Sequence, residues 1–145
     1  MGFRGVAFGL ALLATGGAVA QDAPSAPAGE QLLLELNALQ PSDKGGCRLT
    51  FLVKNELKSA LDKAGFEMAL FDENGAVNRL AVLEFNDLPV NKTKISRFDL
   101  AGADCAKISR VLINNSSSCA GAGVDPKLCL NALKTETRTK VTFGS

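Results

Sequence analysis

The sequence predicts an all-β sandwich of about seven short strands with one short helix near the C-terminus. Three observations carry this. Runs of alternating apolar and polar residues recur along the chain, and a period of two is the period of a strand. Clusters of Gly, Pro, Asn and Asp separate these runs. Four cysteines, Cys47, Cys105, Cys119 and Cys129, follow an apolar leader, as in exported domains stapled by disulfides.

The leader comes first. Arg4 supplies a positive start, "GVAFGLALLA" an apolar centre, and Ala18-Val19-Ala20 a small-x-small cleavage site. Residues 1–20 therefore read as a secretory signal peptide cut after Ala20. The apolar stretch falls short of the roughly 20 residues a spanning helix needs, so no stable membrane anchor is expected after cleavage. No Arg-Arg pair marks a twin-arginine signal. "QDAPSAPAGE", residues 21–30, reads as a flexible linker, and residues 31–145 as a single sandwich domain.

Within that domain, "LLLELNAL" (Leu32–Leu39) is a strand candidate, read as an edge. "CRLTFLVKN" (Cys47–Asn55) sets Cys47, Leu49, Phe51 and Val53 on one face and Arg48, Thr50, Leu52 and Lys54 on the other. "ELKSALDKA" reads as a helical turn or long loop. "FEMALFDENGAVNRLAVLEF" (Phe66–Phe85) reads as a hairpin. Phe66, Met68 and Leu70 share a face, Asp72 starts the turn through its side chain, and Gly75 takes its left-handed position. The returning strand alternates imperfectly, with Leu80 and Val82 on one face and Ala81, Leu83 and Phe85 on the other. A bulge or burial on both faces is expected there.

Asn86–Thr93 is a turn in which Asn91 suits a positive φ. "KISRFDL" and "AKISRVLIN" are further strands, and Asn115–Gly123 a loop. In "DPKLCLNAL" Asp125 is the expected N-cap and Pro126 the first helical residue. Thr135–Phe143 alternates strictly and is expected as one last strand. Its Lys134, Glu136, Arg138 and Lys140 give it the charge pattern of a protected edge.

Four cysteines allow three pairings. Cys47–Cys105 with Cys119–Cys129 is favoured: the second pair closes a short loop through Gly121, Gly123 and Pro126, and the first ties two distant strand beginnings. A metal site would require clustered ligands such as C-x2-C, usually with histidine. The cysteines here lie 58, 14 and 10 positions apart, and the chain has no His. No metal and no cofactor is expected.

The stretch "LTFLVKNELKSALDKAGFEMALFDENGAV" resembles FxLYD-type immunoglobulin-like domains of exported bacterial proteins. Asn55 matches that pattern's strand-ending Asn, and Leu70-Phe71-Asp72 with Gly75 match its second half. Met68 stands where Phe would, and Phe71 where Tyr would. The four cysteines around "RVLIN" are also similar to a family of small secreted bacterial proteins of unknown function. The resemblance spans roughly Leu32 to Phe143 and implies an immunoglobulin-like sandwich and a periplasmic or secreted location.

The sequence lacks the parts of several chemistries. Without histidine, Ser-His-Asp and Cys-His arrangements cannot be built. No phosphate-cradling glycine motif occurs. Removing residues 1–20 takes Arg4 and no acid, which leaves 15 basic and 15 acidic residues and no basic stripe for nucleic acid. Asp72 and Glu73 are better explained by the turn than by acid/base work or calcium, which wants six or more oxygens. No catalytic residue is expected. The leading expectation is a non-enzymatic accessory or interaction domain with a protein partner in the cell envelope, docking by strand addition at the Thr135–Phe143 edge. One alternative is an inhibitor of an extracytoplasmic hydrolase that inserts the Asn115–Asp125 loop. Another is an enzyme that uses carboxylates alone.

Overall fold

Alternation becomes two layers. The computed structural model describes residues 1, 2, 5 and 30–145. The expected leader and linker lie almost wholly outside the described residues. Eight strands follow in order: β1 (Leu32–Pro41), β2 (Gly46–Asn55), β3 (Leu61–Phe71), β4 (Val77–Leu88), β5 (Thr93–Ala101), β6 (Arg110–Ala120), β7 (Leu133–Thr137) and β8 (Thr142–Gly144). A 3-10 turn (Cys105–Lys107) precedes β6, and helix α1 (Leu128–Asn131) precedes β7. The first sheet runs β5-β2-β1-β7 and the second β4-β3-β6-β8. The pairings β1–β7 and β6–β8 are parallel; the others are antiparallel.

The core lies between the sheets. The first contributes Leu32, Leu34, Leu36, Cys47, Leu49, Phe51 and Val53, and the second Ala64, Phe66, Met68, Leu70, Leu83, Phe85, Val111 and Ile113. With no Trp or Tyr, phenylalanine does the large filling. Phe51 sits at the centre, with ring centroids 5.5 Å from Phe85, 5.6 Å from Phe143 and 6.0 Å from Phe98. The Phe51–Phe85 pair meets edge to face, the geometry that matches ring edge to ring quadrupole.

Both expected disulfides are present, Cys47–Cys105 and Cys119–Cys129. Cys105 lies in the 3-10 turn rather than at a strand beginning. At the other end of β2, the buried Asn55 joins the layers. Its Nδ2 donates to the Leu88 carbonyl (2.8 Å) and the Ser59 carbonyl (3.0 Å), and its Oδ1 accepts from Leu57 N–H (2.9 Å).

Several sequence expectations are corrected. β1 is not an edge: β7 pairs beside it in parallel, about a hundred residues later in the chain. The "ELKSALDKA" stretch is a short loop that enters β3 at Leu61, because Leu61, Ala64 and Phe66 all find core positions. Asn115–Ala120 is strand, not loop. β6 runs through it with irregular register opposite Gly65–Met68, and these bulges absorb the polar run. Helix α1 starts later than Asp125. Asp125 Oδ1 accepts from Lys127 N–H (2.8 Å), so it shapes the turn before the helix, and Lys127 occupies the cap without a side-chain bond. Thr135–Phe143 divides into β7 and β8, which belong to different sheets, because the chain crosses the end of the sandwich at Arg138–Val141.

Candidate functional site

The acids of the hairpin serve the backbone. Asp72 Oδ1 accepts from Asn74 N–H (2.9 Å) and Ala76 N–H (3.0 Å), and Gly75 holds φ +79°, as the turn chemistry requires. Asp104 Oδ1 likewise accepts from Ala106 N–H (3.0 Å) at the start of the 3-10 turn. A cleft of about 330 Å³ lies between these two turns, lined by Asp72, Glu73, Asn78, Asp104 and Lys107. Both of its aspartates are thus spent on turn geometry. A shallower groove of about 580 Å³ runs past Cys105, with Leu39, Pro41 and Val141 along it. Among the described residues no group of three or more Asp, Glu or Cys side chains is placed to hold a metal ion.

The sheet edges differ far more than the clefts. At one edge of the first sheet is β5, whose side chains alternate Lys94, Ile95, Ser96, Arg97, Phe98 and Asp99. Asp99 makes a two-pronged pair with Arg48 on β2, Nε to Oδ1 at 2.7 Å and an η nitrogen to Oδ2 at 2.9 Å. The guanidinium, hydrogen-bonded to that carboxylate, holds it below its usual range, and the carboxylate raises the arginine in turn. Glu56 is lowered by its bonds to Lys54 and Gln31. At the other edge β7 carries Lys134 and Glu136, 3.7 Å apart. The expected docking edge is therefore short, five residues in β7 and three in β8, and charged.

β4 is the exception. It is 12 residues long, it lies at the end of the second sheet, and among the described residues it pairs only with β3. Leu80 is 57% exposed, Val82 53% and Val77 57%. The register explains how this surface is built. Leu80 lies beside Ala69 on β3, and Ala69 beside Leu112 on β6, so the three form one row across the outer face. Val82 lies beside Glu67, which accepts from Asn114 Nδ2 at 2.7 Å. At the end of the face the Arg110 guanidinium sits 5.2 Å above the Phe71 ring. The inward side of β4, Leu83 and Phe85, is buried.

The bulge expected in β4 is present at Asn78, where the register with β3 steps from Leu70–Arg79 to Phe71–Val77; burial on both faces is not, and Leu80 and Val82 face out. One apolar face packs in the core and the other faces out. Two apolar faces were visible in the sequence, but nothing local distinguished a strand covered twice from one covered once.

The four cysteines predicted as site residues are all disulfide-bonded and lie at two separate places, with Cys47 and Cys105 at one end of β2 and Cys119 and Cys129 between β6 and α1. No helix among the described residues is long and apolar enough to cross a membrane. Comparison with known proteins returned no match to a family model, to a curated protein or to a solved structure.

Proposed function

We propose that this is an exported, non-enzymatic accessory domain of the cell envelope, an immunoglobulin-like sandwich that binds a protein partner by strand addition. The observation that carries the reading is the edge of β4, a long strand with one side unpaired among the described residues and with outward Leu80 and Val82. Edge strands of stable monomers are shortened, bent or charged, because an open row of N–H and C=O groups recruits another strand. β7 and β8 are short; of the two long edges, β5 exposes Ile95 alone among its large aliphatic residues, whereas β4 exposes Val77, Leu80 and Val82. Backbone pairing would supply affinity at β4, and the alternate side chains would supply selectivity.

Two further features support the reading. The leader sequence and the two disulfides suit an oxidising compartment. The strand order, with the β3–β4 hairpin in one sheet and β1, β2 and β5 in the other, suits an immunoglobulin-like arrangement.

The test is crosslinking in the intact envelope, comparing the natural chain with the Leu80→Lys/Val82→Lys double variant and with Ile95→Lys on the opposite sheet. A partner captured by the natural chain and by Ile95→Lys, but not by the double variant, is the expected result. Equal capture by all three would discard β4 as the binding edge.

A further inference from the structure

We propose that the Cys47–Cys105 disulfide is a redox latch: a dithiol that opens it frees the crossover from β5 to β6 and leaves both sheets in place. The β4 edge plays no part in this.

The crossover, Gly102–Ser109, carries the chain from one sheet to the other and contains the 3-10 turn. Among the described residues its hydrogen bonds from Gly102 to Ile108 are local. Ala103 N–H donates to the Leu100 carbonyl (3.2 Å) and Ala106 N–H to Asp104 Oδ1 (3.0 Å). Lys107 N–H donates to the Asp104 carbonyl (3.0 Å) and Ile108 N–H to the Cys105 carbonyl (3.4 Å). Bonding to distant backbone resumes at Ser109, whose N–H donates to the Phe71 carbonyl (3.0 Å). The body therefore holds this segment by one covalent bond, at Cys105, and by the packing of the partly buried Ala103, Cys105 and Ile108. Cys47, across that bond, lies within β2, between Pro41 on β1 and Leu100 on β5. Breaking the bond releases the Cys105 side and not the Cys47 side.

The other disulfide is built differently. Cys119 lies within β6 beside Ala64 on β3, and Cys129 N–H donates to the Cys119 sulfur (3.2 Å). Helix α1 is also held without sulfur. Leu32 N–H donates to the Ala132 carbonyl (2.9 Å), and the chain then enters β7, which pairs with β1.

Access differs too. Cys47, Cys119 and Cys129 are buried, whereas Cys105 is partly exposed in the wall of the groove of about 580 Å³. A thiolate entering that groove meets Cys105 Sγ first. It bonds to this sulfur, the S–S bond breaks, and the electron pair goes to Cys47 Sγ, which takes a proton from solvent. The second thiol of the reductant loses its proton, attacks its partner sulfur and expels Cys105 as a thiolate, which is protonated in turn. The reductant leaves as a disulfide, and the protein holds two thiols.

The latch governs the wall of two clefts. Gly102, Ala103, Asp104 and Lys107 line the cleft of about 330 Å³, and Asp104, Cys105 and Ala106 line the groove. Release of the crossover changes both at once.

The experiment treats the purified, oxidised protein with dithiothreitol without denaturant, alkylates samples over time and locates the labels by mass spectrometry. Cys47 and Cys105 should be labelled together, at least about tenfold sooner than Cys119 and Cys129. In protein reduced at this pair alone, hydrogen exchange should quicken at least about tenfold at Ala106, Lys107 and Ile108 and stay unchanged in β2 and β6. Reoxidation should restore the first pattern. Three results would each overturn the proposal: Cys119 and Cys129 labelled first or at the same rate, exchange rising across both sheets as the first pair opens, or the pair opening while exchange at Ala106–Ile108 stays as it was.

Discussion

On the outer surface of the first sheet, charges meet their opposites: Arg48 with Asp99, Lys54 with Glu56, Arg138 with Glu35, and Lys134 with Glu136. On the second sheet the outer surface carries Leu80, Val82 and Leu112 around Ala69, with Lys63–Glu84 at its margin. The inner surfaces show no such contrast. Both are aliphatic and phenylalanine-rich, and both are buried. Folding therefore requires the two inner faces to be alike and leaves the outer ones unconstrained. Exposed aliphatic residues gain little for the isolated fold, and a contiguous group of them marks a surface that another molecule covers. The second sheet, at β4, is the side on which the proposed partner would pair.

This comparison can be broken or sharpened by experiment. The largest effect should come from what the sheets share. Phe51→Ala removes a ring that touches both layers and should cost about 3–5 kcal/mol, measured by urea denaturation; a loss well below that range would mean the layers are not packed through this ring. Next come the staples, one beside each sheet. Replacing Cys47 and Cys105 by Ala releases a closure of 58 residues, and replacing Cys119 and Cys129 a closure of 10. Chain entropy puts these at about 4 and about 3 kcal/mol, both on the high side. Thermal melts of the two double variants should rank in that order, and the reverse order would show that native contacts around α1 outweigh loop length.

Smaller still is the outer face of β4. Leu80→Thr/Val82→Thr keeps strand propensity and should change the stability of dilute protein by no more than about 0.5 kcal/mol. It should reduce binding of a hydrophobic dye, and the same change at Ile95 should not. A large stability loss would mean that these side chains serve the fold. The least effect belongs to the charged face. Asp99 has its folded pKa depressed by Arg48, so its contribution is present at neutral pH and fades as pH falls through that depressed value. Both partners are exposed, so the contribution is small. Arg48→Gln should move the Asp99 titration up toward the ordinary value of about 3.9, read by NMR of the carboxyl carbon, and leave the melting temperature nearly unchanged.

The local features of this fold were legible in the sequence. Alternation placed Leu49, Phe51 and Val53 inside, and Asp72 with Gly75 marked the hairpin turn. Pairing by loop length gave both disulfides. Apart from the start of α1, the misreadings are of things that distant chain decides. β1 became an inner strand because β7 pairs with it across a hundred residues, which leaves no mark on "LLLELNAL". Thr135–Phe143 alternates through its own break, because both sheets impose the same period on the halves they receive. Ser116, Ser117 and Ser118 looked like loop, yet they form the irregular part of β6 over Gly65, where a β-carbon would press against the Ser117 hydroxyl at 2.5 Å. The candidate edge followed the same pattern. Its two apolar faces were plain in "RLAVLEF", but which one would be left uncovered depended on the number of sheets and their order.

Strand β2 holds one last consequence. It is fastened at its start by sulfur, through Cys47, and at its finish by the amide of Asn55, which grips the Leu88 carbonyl on the opposite layer. These fasteners respond to different agents: a thiol reductant undoes the first and leaves the second alone. Under reduction β2 loses the covalent tie at its start and keeps the amide hydrogen bond at its finish, so the two ends of one strand answer to different conditions.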